Sequence, residues 1–455
     1  MRAADPPRLA QPSRGGYRVG SFHRSRGPPV STEEKVSQWI RDAVSRGASD
    51  IHFEPDKGGK MRIRVRVDGL IKTVETGGDA QKILSRLKIM ADLDVNEKNV
   101  PLDGRIKADK WVSGLTGIDL RMSSLPCMGG EKVVLRVVDN RKLNMKLEDL
   151  GFTRKMLNRY EPLVRSPHGL ILHVGPTGSG KTTSLYAIVQ TLKRGDINIQ
   201  TAEDPVEYDV FGITQTPVDH EQGLSFPRVL RALLRQDPDV ILVGEMRDSE
   251  TAEIAVEAAM TGHLVLSTLH TNDAVGTVVR LLDMGVAPFC IAYALRCVIS
   301  QRFVRRLCEK CKVKSQPDAA SQKIMGSNRP IYKAKGCSAC GKQGYKGRVP
   351  LFEFLPSSPA LRKAVYGAVT PDGLNRVARA NGLITLWEDG LDKVWSGVTG
   401  LSEVVRVVKG DEAMRKVQAL QESATVPQPR QAAPGQPARR PPPGGPPRRP
   451  SARRR

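Results

Sequence analysis

Eight consecutive residues, Gly175, Pro176, Thr177, Gly178, Ser179, Gly180, Lys181 and Thr182, fit the pattern G-x-x-x-x-G-K-[ST] at every fixed position. The apolar run 170–174 precedes them, and Thr183 opens a stretch to residue 190 that reads as a helix. A strand, a glycine-rich loop and a helix in that order make a cradle for phosphate. Glycines let successive backbone N–H groups turn inward around phosphate oxygens. The new helix adds its own free N–H groups and the positive end of its dipole. Lys181 is placed to reach β- and γ-phosphates, and the Thr182 hydroxyl to ligate Mg²⁺.

Other constellations downstream could serve the same chemistry. Asp239-Val-Ile-Leu-Val-Gly-Glu245 reads as a core strand ending in an acid, with Gly244 where many phosphate-loop enzymes place an aspartate. A carboxylate at such a strand end can orient and deprotonate an attacking water, which makes Glu245 a candidate base. Glu203, Asp204 and Glu207 crowd the end of another apolar run, and like charges so close call for a cation such as Mg²⁺ or separate solvation. His263 and His270 flank the run 264–268, where a histidine at the strand tip could sense a terminal phosphate. Cys308-x-x-Cys311 and Cys337-x-x-Cys340, 25 residues apart, have the form of two knuckles holding Zn²⁺ by four thiolates. Cys127, Cys290 and Cys297 lack such partners and read as packing residues.

These groups need elements to hold them. Short apolar runs at 170–174, 197–201, 240–243 and 264–268 alternate with helical patterns, which predicts a parallel sheet covered by helices. The segment 226–236 reads as an amphipathic helix. Upstream, Ser31-Thr-Glu-Glu34 has the shape of a capping box before a helix carrying Val36, Ile40 and Ala43. Residues 61–67 alternate strictly, with Met61, Ile63, Val65 and Val67 on one face and Arg62, Arg64 and Arg66 on the other. Asp68-Gly69 then predicts a tight hairpin. With a helix near 79–92 and strands near 103–109, 117–123 and 131–138, the region 31–140 is a small α+β domain. Residues 141–165 form a linker, 166–304 the α/β core, 305–350 a metal-binding module and 351–422 a helical region.

The chain of 455 residues has a formal net charge of +23, unevenly spread. Segments 1–30 and 423–455 carry net +5 and +8, 13 of the 23, and their Pro, Gly and Arg content predicts disorder. The Arg-rich end could contact anionic lipid. The body is only mildly basic, so charge does not argue for nucleic acid as a partner. No apolar run reaches the roughly 18–20 residues of a transmembrane helix, and no signal peptide opens the chain, which predicts a cytoplasmic protein.

Four segments taken together resemble one family closely. Residues 175–182, Ala202-Glu-Asp-Pro-Val-Glu-Tyr208, the run from Leu234 to Asp248 and the run from Thr261 to Ala274 look like the Walker A, Asp box, Walker B and His box of secretion ATPases. Ala48-Ser-Asp-Ile-His-Phe-Glu-Pro55, Pro101-Leu-Asp-Gly-Arg-Ile106 and Asp119-Leu-Arg-Met-Ser-Ser-Leu-Pro126 resemble the domain preceding that core. The tetracysteine and Gln301-Arg-Phe-Val-Arg-Arg-Leu-Cys308 are similar to the type II secretion and type IV pilus assembly branch. The resemblance implies an α/β fold with a RecA-like ATPase core, an N-terminal PAS-like domain, a zinc module and C-terminal helices. It implies a homo-hexamer using ATP, Mg²⁺ and structural Zn²⁺, peripheral at the inner membrane and working with a platform protein there. Glu245 would be the catalytic base, supported by Glu203 and His270. Arg105 and Arg121 would reach nucleotide phosphates from the N-terminal domain, and Arg231 and Arg235 would stabilise charge at a subunit boundary. The family usually has a further docking domain where about 30 residues stand here, so docking is expected through another surface. A retraction or DNA-uptake motor on the same scaffold and a RecA-like nucleic-acid translocase are the alternatives.

Overall fold

The Ser31 hydroxyl accepts from the Glu34 amide at 3.2 Å and starts helix α1 (Thr32–Ser45), the N-cap half of the expected capping box, while the Glu34 carboxylate pairs with Arg41. The computed structural model describes residues 31–141, 145–367 and 370–408; the Arg-rich segments 1–30 and 423–455 lie outside them. Strands β1 (Ala48–Pro55) and β2 (Lys60–Val67) follow, then β3 (Leu70–Asp79) across the predicted hairpin. Asp68 and Gly69 both have positive φ, at 50° and 84°, the backbone a two-residue hairpin of this hand requires. Helix α2 (Ala80–Met90), β4 (Leu102–Lys107), the short α3 (Ala108–Trp111), β5 (Ile118–Cys127) and β6 (Gly130–Asp139) complete an antiparallel sheet of order β3-β2-β1-β6-β5-β4. Met61, Ile63 and Val65 are buried beneath it. Arg62 and Arg64 on the opposite face pair with Glu54, and Arg66 with Asp50.

After a 3₁₀ turn at Leu147–Leu150 comes α4 (Arg154–Val164), and then the second sheet begins. Its units are β7 (Gly169–Val174), α5 (Lys181–Leu192), β8 (Ile199–Glu203), β9 (Thr214–Pro217), α6 (Phe226–Leu233), β10 (Val240–Val243), α7 (Ser249–Met260) and β11 (Leu264–Leu269). Helices α8 (Ala274–Asp283) and α9 (Pro288–Ala294) lead to the long β12 (Leu295–Leu307). The cysteine-bearing excursion holds β13 (Lys312–Ser315), α10 (Ala319–Met325) and β14 (Ile331–Ala334). The chain returns along β15 (Tyr345–Pro356) and ends, among the named elements, in α11 (Pro359–Tyr366), α12 (Pro371–Ala380) and α13 (Leu386–Trp395).

The seven strands run β15-β12-β7-β11-β10-β8-β9, all parallel except β15. Apolar clusters fill both faces, as expected for a parallel sheet covered on each side. Among the described residues no helix is long and apolar enough to cross a membrane.

The cysteine-rich stretch is narrower than the reading 305–350, because β12 runs on to Leu307 and β15 begins at Tyr345; it is an excursion from one end of these two antiparallel neighbours of the main sheet. The strand at 197–201 is likewise shifted, to Ile199–Glu203, and the helix at 226–236 ends at Leu233. Polar Ser300, Gln301 and Arg302 are buried in the middle of β12, which masks the apolar signature of a central strand.

Candidate nucleotide site

Parallel strands put their carboxyl ends at one edge of the sheet, where α/β folds bind ligands. Here β7, β11 and β10 are neighbours, with Val174 paired to Leu269 and Val243 to Ser267. The residues that follow, Gly175, His270 and Gly244-Glu245, therefore emerge side by side.

The glycine-rich loop, the candidate phosphate site, runs from β7 into α5. Gly175, Gly178 and Gly180 have φ of 142°, 76° and 92°, so each of the three glycines is required by its backbone. Helix α5 starts on Gly180 without a side-chain cap, which leaves its first-turn N–H groups for a ligand. Pro176, Thr177, Gly178 and Thr182 are exposed, Thr183 is half-buried and Ser179 is buried. The Ser179 hydroxyl oxygen has no partner among the described residues. Lys181 Nζ donates to the Gly175 carbonyl at 2.7 Å. Burial pushes the Lys181 pKa down, and the nearby Glu245 charge opposes that. An uncapped helix start, three left-handed glycines and a lysine folded over the loop fit a polyphosphate.

Glu245 stands across from the loop with its carboxylate 13 % exposed. Arg247 Nη2 lies 2.5 Å from Glu245 Oε1, and His270 Nε2 lies 3.1 Å from Oε2. Burial would raise its pKa, but Arg247 and then His270 outweigh burial, and the group sits below the ordinary carboxylate value. A carboxylate so held stays ionised and can accept a proton. The turn carrying it is tied to β11, because Thr268 Oγ1 donates to the Gly244 carbonyl at 2.8 Å and Met246 N to the Thr268 carbonyl at 3.0 Å. A side chain on residue 244 would come within 3.3 Å of the Ala202 carbonyl and 3.4 Å of Glu203 Cα. The closeness of β8 explains glycine where an aspartate is common.

Glu203 turns inward. Its carboxylate accepts from Tyr186 Oη at 2.5 Å, Thr201 Oγ1 at 2.6 Å and Gln215 Nε2 at 3.0 Å. None of these bonds reaches Glu245, His270 or Lys181; they brace α5 from behind. Of the two readings of Glu203, Asp204 and Glu207, a shared cation or separate solvation, their separate partners favour the second. Glu207 pairs with Arg121 at 3.0 Å, and Asp204 lies 4.0 Å from His220. Among the described residues only the four cysteines bring three or more His, Cys, Asp or Glu close enough to hold one metal. His263 bonds the Ala258 carbonyl through Nδ1 at 3.0 Å, a local turn contact.

The arginines stand further out. Arg105 pairs with Asp119 at 2.5 Å on the antiparallel sheet. Arg121 crosses to the core, donating to the Val206 carbonyl at 2.8 Å beside Glu207. Arg231 pairs with Glu250 at 2.7 Å, and Arg235 donates to the Arg231 carbonyl at 2.8 Å. Arg247 was not singled out from sequence as a site residue; its place two residues after Glu245 was the available signal.

The sulfurs of Cys308, Cys311, Cys337 and Cys340 all lie within 4.8 Å of one another, with separations of 3.9, 3.8 and 3.8 Å among three of the pairs. Tetrahedral coordination at a Zn–S distance of about 2.3 Å demands S···S separations of about 3.8 Å. Backbone amides of Cys337 and Gly344 donate to Cys340 Sγ at 3.2 and 3.1 Å and favour its thiolate. The donor set fits a tetrahedral thiophilic metal.

A family model for the type II/IV secretion system protein matches residues 29–406. The type IV pilus assembly ATPase PilB of Thermus thermophilus is 44 % identical over 383 residues, covering 82 % of this chain and 43 % of that relative. The type II secretion system ATPase E of Vibrio cholerae is 44 % identical over 380 residues, covering 82 % of this chain and 75 % of that relative. Among solved structures, the pilus retraction motor PilT with bound ADP is 28 % identical, covers 82 % of this chain and 96 % of its own, and superposes with a TM-score of 0.57. The ATPase DotB of Legionella pneumophila shares the fold at 20 % identity, with a TM-score of 0.63 over 85 % of this chain and 98 % of its own. The matched span takes in both sheets and every strand end described above, and the chain belongs to the type II/IV secretion system protein family.

Proposed function

We propose that this chain is a cytoplasmic, Mg²⁺-dependent ATPase that works as a homo-hexamer to drive assembly of a pilus or pseudopilus at the inner membrane. The observation that carries the reading is the emergence of the phosphate loop, Glu245 and His270 from three adjacent parallel strands. The relatives named as secretion and pilus assembly ATPases support the direction of work.

In this reading the loop N–H groups and Lys181 hold the β- and γ-phosphates of ATP. Thr182 would hold Mg²⁺, which supplies charge neutralisation on the phosphate oxygens when bound. Glu245, ionised by Arg247, takes the proton from the attacking water, and His270 orients the carboxylate. Arg105 and Arg121 move onto phosphate when the N-terminal sheet closes over the core. Arg231 and Arg235 serve a neighbouring subunit's site. Glu203 acts indirectly, by setting α5. The four cysteines hold one structural Zn²⁺. A platform protein in the membrane is the mechanical partner, and the Arg-rich segment 423–455 adds contact with anionic lipid.

The test is ATP turnover by the purified full-length chain with Mg²⁺, alone and with anionic vesicles carrying a platform protein or with single-stranded polynucleotide. Stimulation by the membrane components supports a secretion motor. Stimulation by polynucleotide alone would move the assignment to a translocase.

A further inference from the structure

Gln301 is 1 % exposed in the middle of β12, and its amide reaches three groups. Nε2 donates to the Ser179 carbonyl at 2.7 Å, inside the phosphate loop. Oε1 accepts from Ser184 Oγ at 3.0 Å, on the first turn of α5, and lies 3.1 Å from His173 Nδ1. Because Oε1 can only accept, Nδ1 carries the imidazole proton. His173 Nε2 is then the acceptor for Tyr160 Oη at 2.7 Å, which reaches in from α4. Burial holds the His173 pKa down to about 4, so the ring stays neutral. Each member has one permitted orientation. Reversing the Gln301 amide would set its oxygen against the Ser179 carbonyl.

A trans peptide points its C=O and N–H in opposite directions. Holding the Ser179 carbonyl toward β12 therefore turns the Gly180 N–H away from β12. The same strand presses on the loop at two further points. A Cβ on Gly175 would lie 2.6 Å from the Gln301 carbonyl oxygen, and one on Gly180 would lie 2.8 Å from the Phe303 ring. No chemistry assigned above uses Gln301, His173 or Tyr160, although burying a polar chain is costly unless it is fully satisfied.

We infer that Gln301, oriented by His173 and Tyr160, is the positioning residue that presets the phosphate loop for nucleotide. This rests on the reading of the loop as an ATP site. Gln301 touches no phosphate; it acts through the Ser179–Gly180 peptide and the start of α5.

The test uses the full-length chain and its Gln301→Met variant, which keeps the length of the side chain and loses all three hydrogen bonds. ATP affinity by competition with a fluorescent ATP analogue, KM, kcat and unfolding temperature without nucleotide are measured on both. The expected result is a rise of tenfold or more in KM and in the ATP dissociation constant, with kcat at saturation falling less than threefold. That split arises because Glu245 and His270 follow other strands. Should Gln301→Met not fold, Tyr160→Phe removes one hydroxyl and keeps the ring, and the expected result is a KM at least threefold higher with a smaller change in kcat. Wild-type ATP affinity in the folded variant overturns the inference, as does a fall in kcat and unfolding temperature with KM unmoved. Failure of the wild-type chain itself to bind ATP overturns the reading of the site and this inference with it.

Discussion

Glu245 is ionised before any substrate arrives, because Arg247 and His270 each occupy one of its oxygens. Burial works against that state and is outweighed, so its folded pKa lies below the unfolded one. The sign follows: the paired carboxylate stabilises the fold above the unfolded pKa, and that contribution fades as pH falls through the folded value. Activity should share the direction, with the acid limb of turnover lying below the ordinary carboxylate value of 4.5. Replacing Arg247 by Ala should move that limb upward, which a pH–rate profile of wild type and variant would show; an unmoved limb would mean Arg247 does not set the charge. Glu245→Gln should keep ATP binding and reduce turnover by roughly 10²–10⁴-fold, the usual contribution of a positioned base. Lys181→Ala should instead lose binding. Wild-type turnover by Glu245→Gln would place the base elsewhere. The shape of the loop between β7 and α5 was legible in the sequence because it is local, with glycine, lysine and threonine at fixed spacing on one turn. The approach of His270 to Glu245 joins residues 25 apart and depends on the β10–β11 register.

At the scale of elements, the cysteine excursion has little apolar burial of its own beyond Cys308, Met325, Ile331 and Cys340. Metal binding in such a segment is folding free energy. Each of Cys308, Cys311, Cys337 and Cys340 changed to Ser should lose zinc, from one ion per chain to none, and open the 308–344 segment to protease. Full protease resistance in metal-free protein would show that the segment folds without an ion. The base of the excursion is held differently. Glu403, from the helical residues 401–408, accepts from Arg305 N at 3.0 Å and pairs with the Arg305 and Arg406 side chains at 2.7 and 2.8 Å. Burial opposes its charge, but the two arginines dominate and lower its pKa from 4.5 to about 2. Its stabilisation is therefore present above pH 4.5 and lost as pH falls toward 2. Urea titrations should find Glu403→Gln less stable than wild type at neutral pH and the gap closing across that window. A gap independent of pH would assign the effect to packing. Neither β12 nor β15 could be read from periodicity, because β12 buries polar residues at its centre and both strands carry charges toward the excursion.

For the whole molecule the consequential contact joins the two sheets. Arg121 on β5 bonds the Val206 carbonyl and Glu207 just after β8, while Asp68 at the β2–β3 hairpin accepts from Gly347 N at 2.9 Å. The Arg121–Glu207 pair is partly exposed, and such pairs contribute about 0–1 kcal/mol, so it can be exchanged for a phosphate at little cost. Arg121→Ala should therefore lower kcat/KM at least tenfold with only a small change in unfolding temperature, and Glu207→Ala should not reproduce the loss. Equal losses in steady-state assays would reduce Arg121 to a partner of Glu207. Glycine positions, capping residues and alternation determined α1, the β2–β3 hairpin and the loop between β7 and α5, because each depends on neighbours a few residues away. The CxxC pairs likewise announced two candidate metal-ligand knuckles, since each knuckle is local, and the fold brings their four sulfurs within 4.8 Å of one another. Only the tertiary structure decided that Glu203 faces inward to Tyr186, that Arg121 reaches Glu207 across 86 positions of chain, and that β12 lies against the phosphate loop. Those arrangements depend on strand order and burial, and a parallel sheet sets both through crossovers that leave no periodic trace in the sequence.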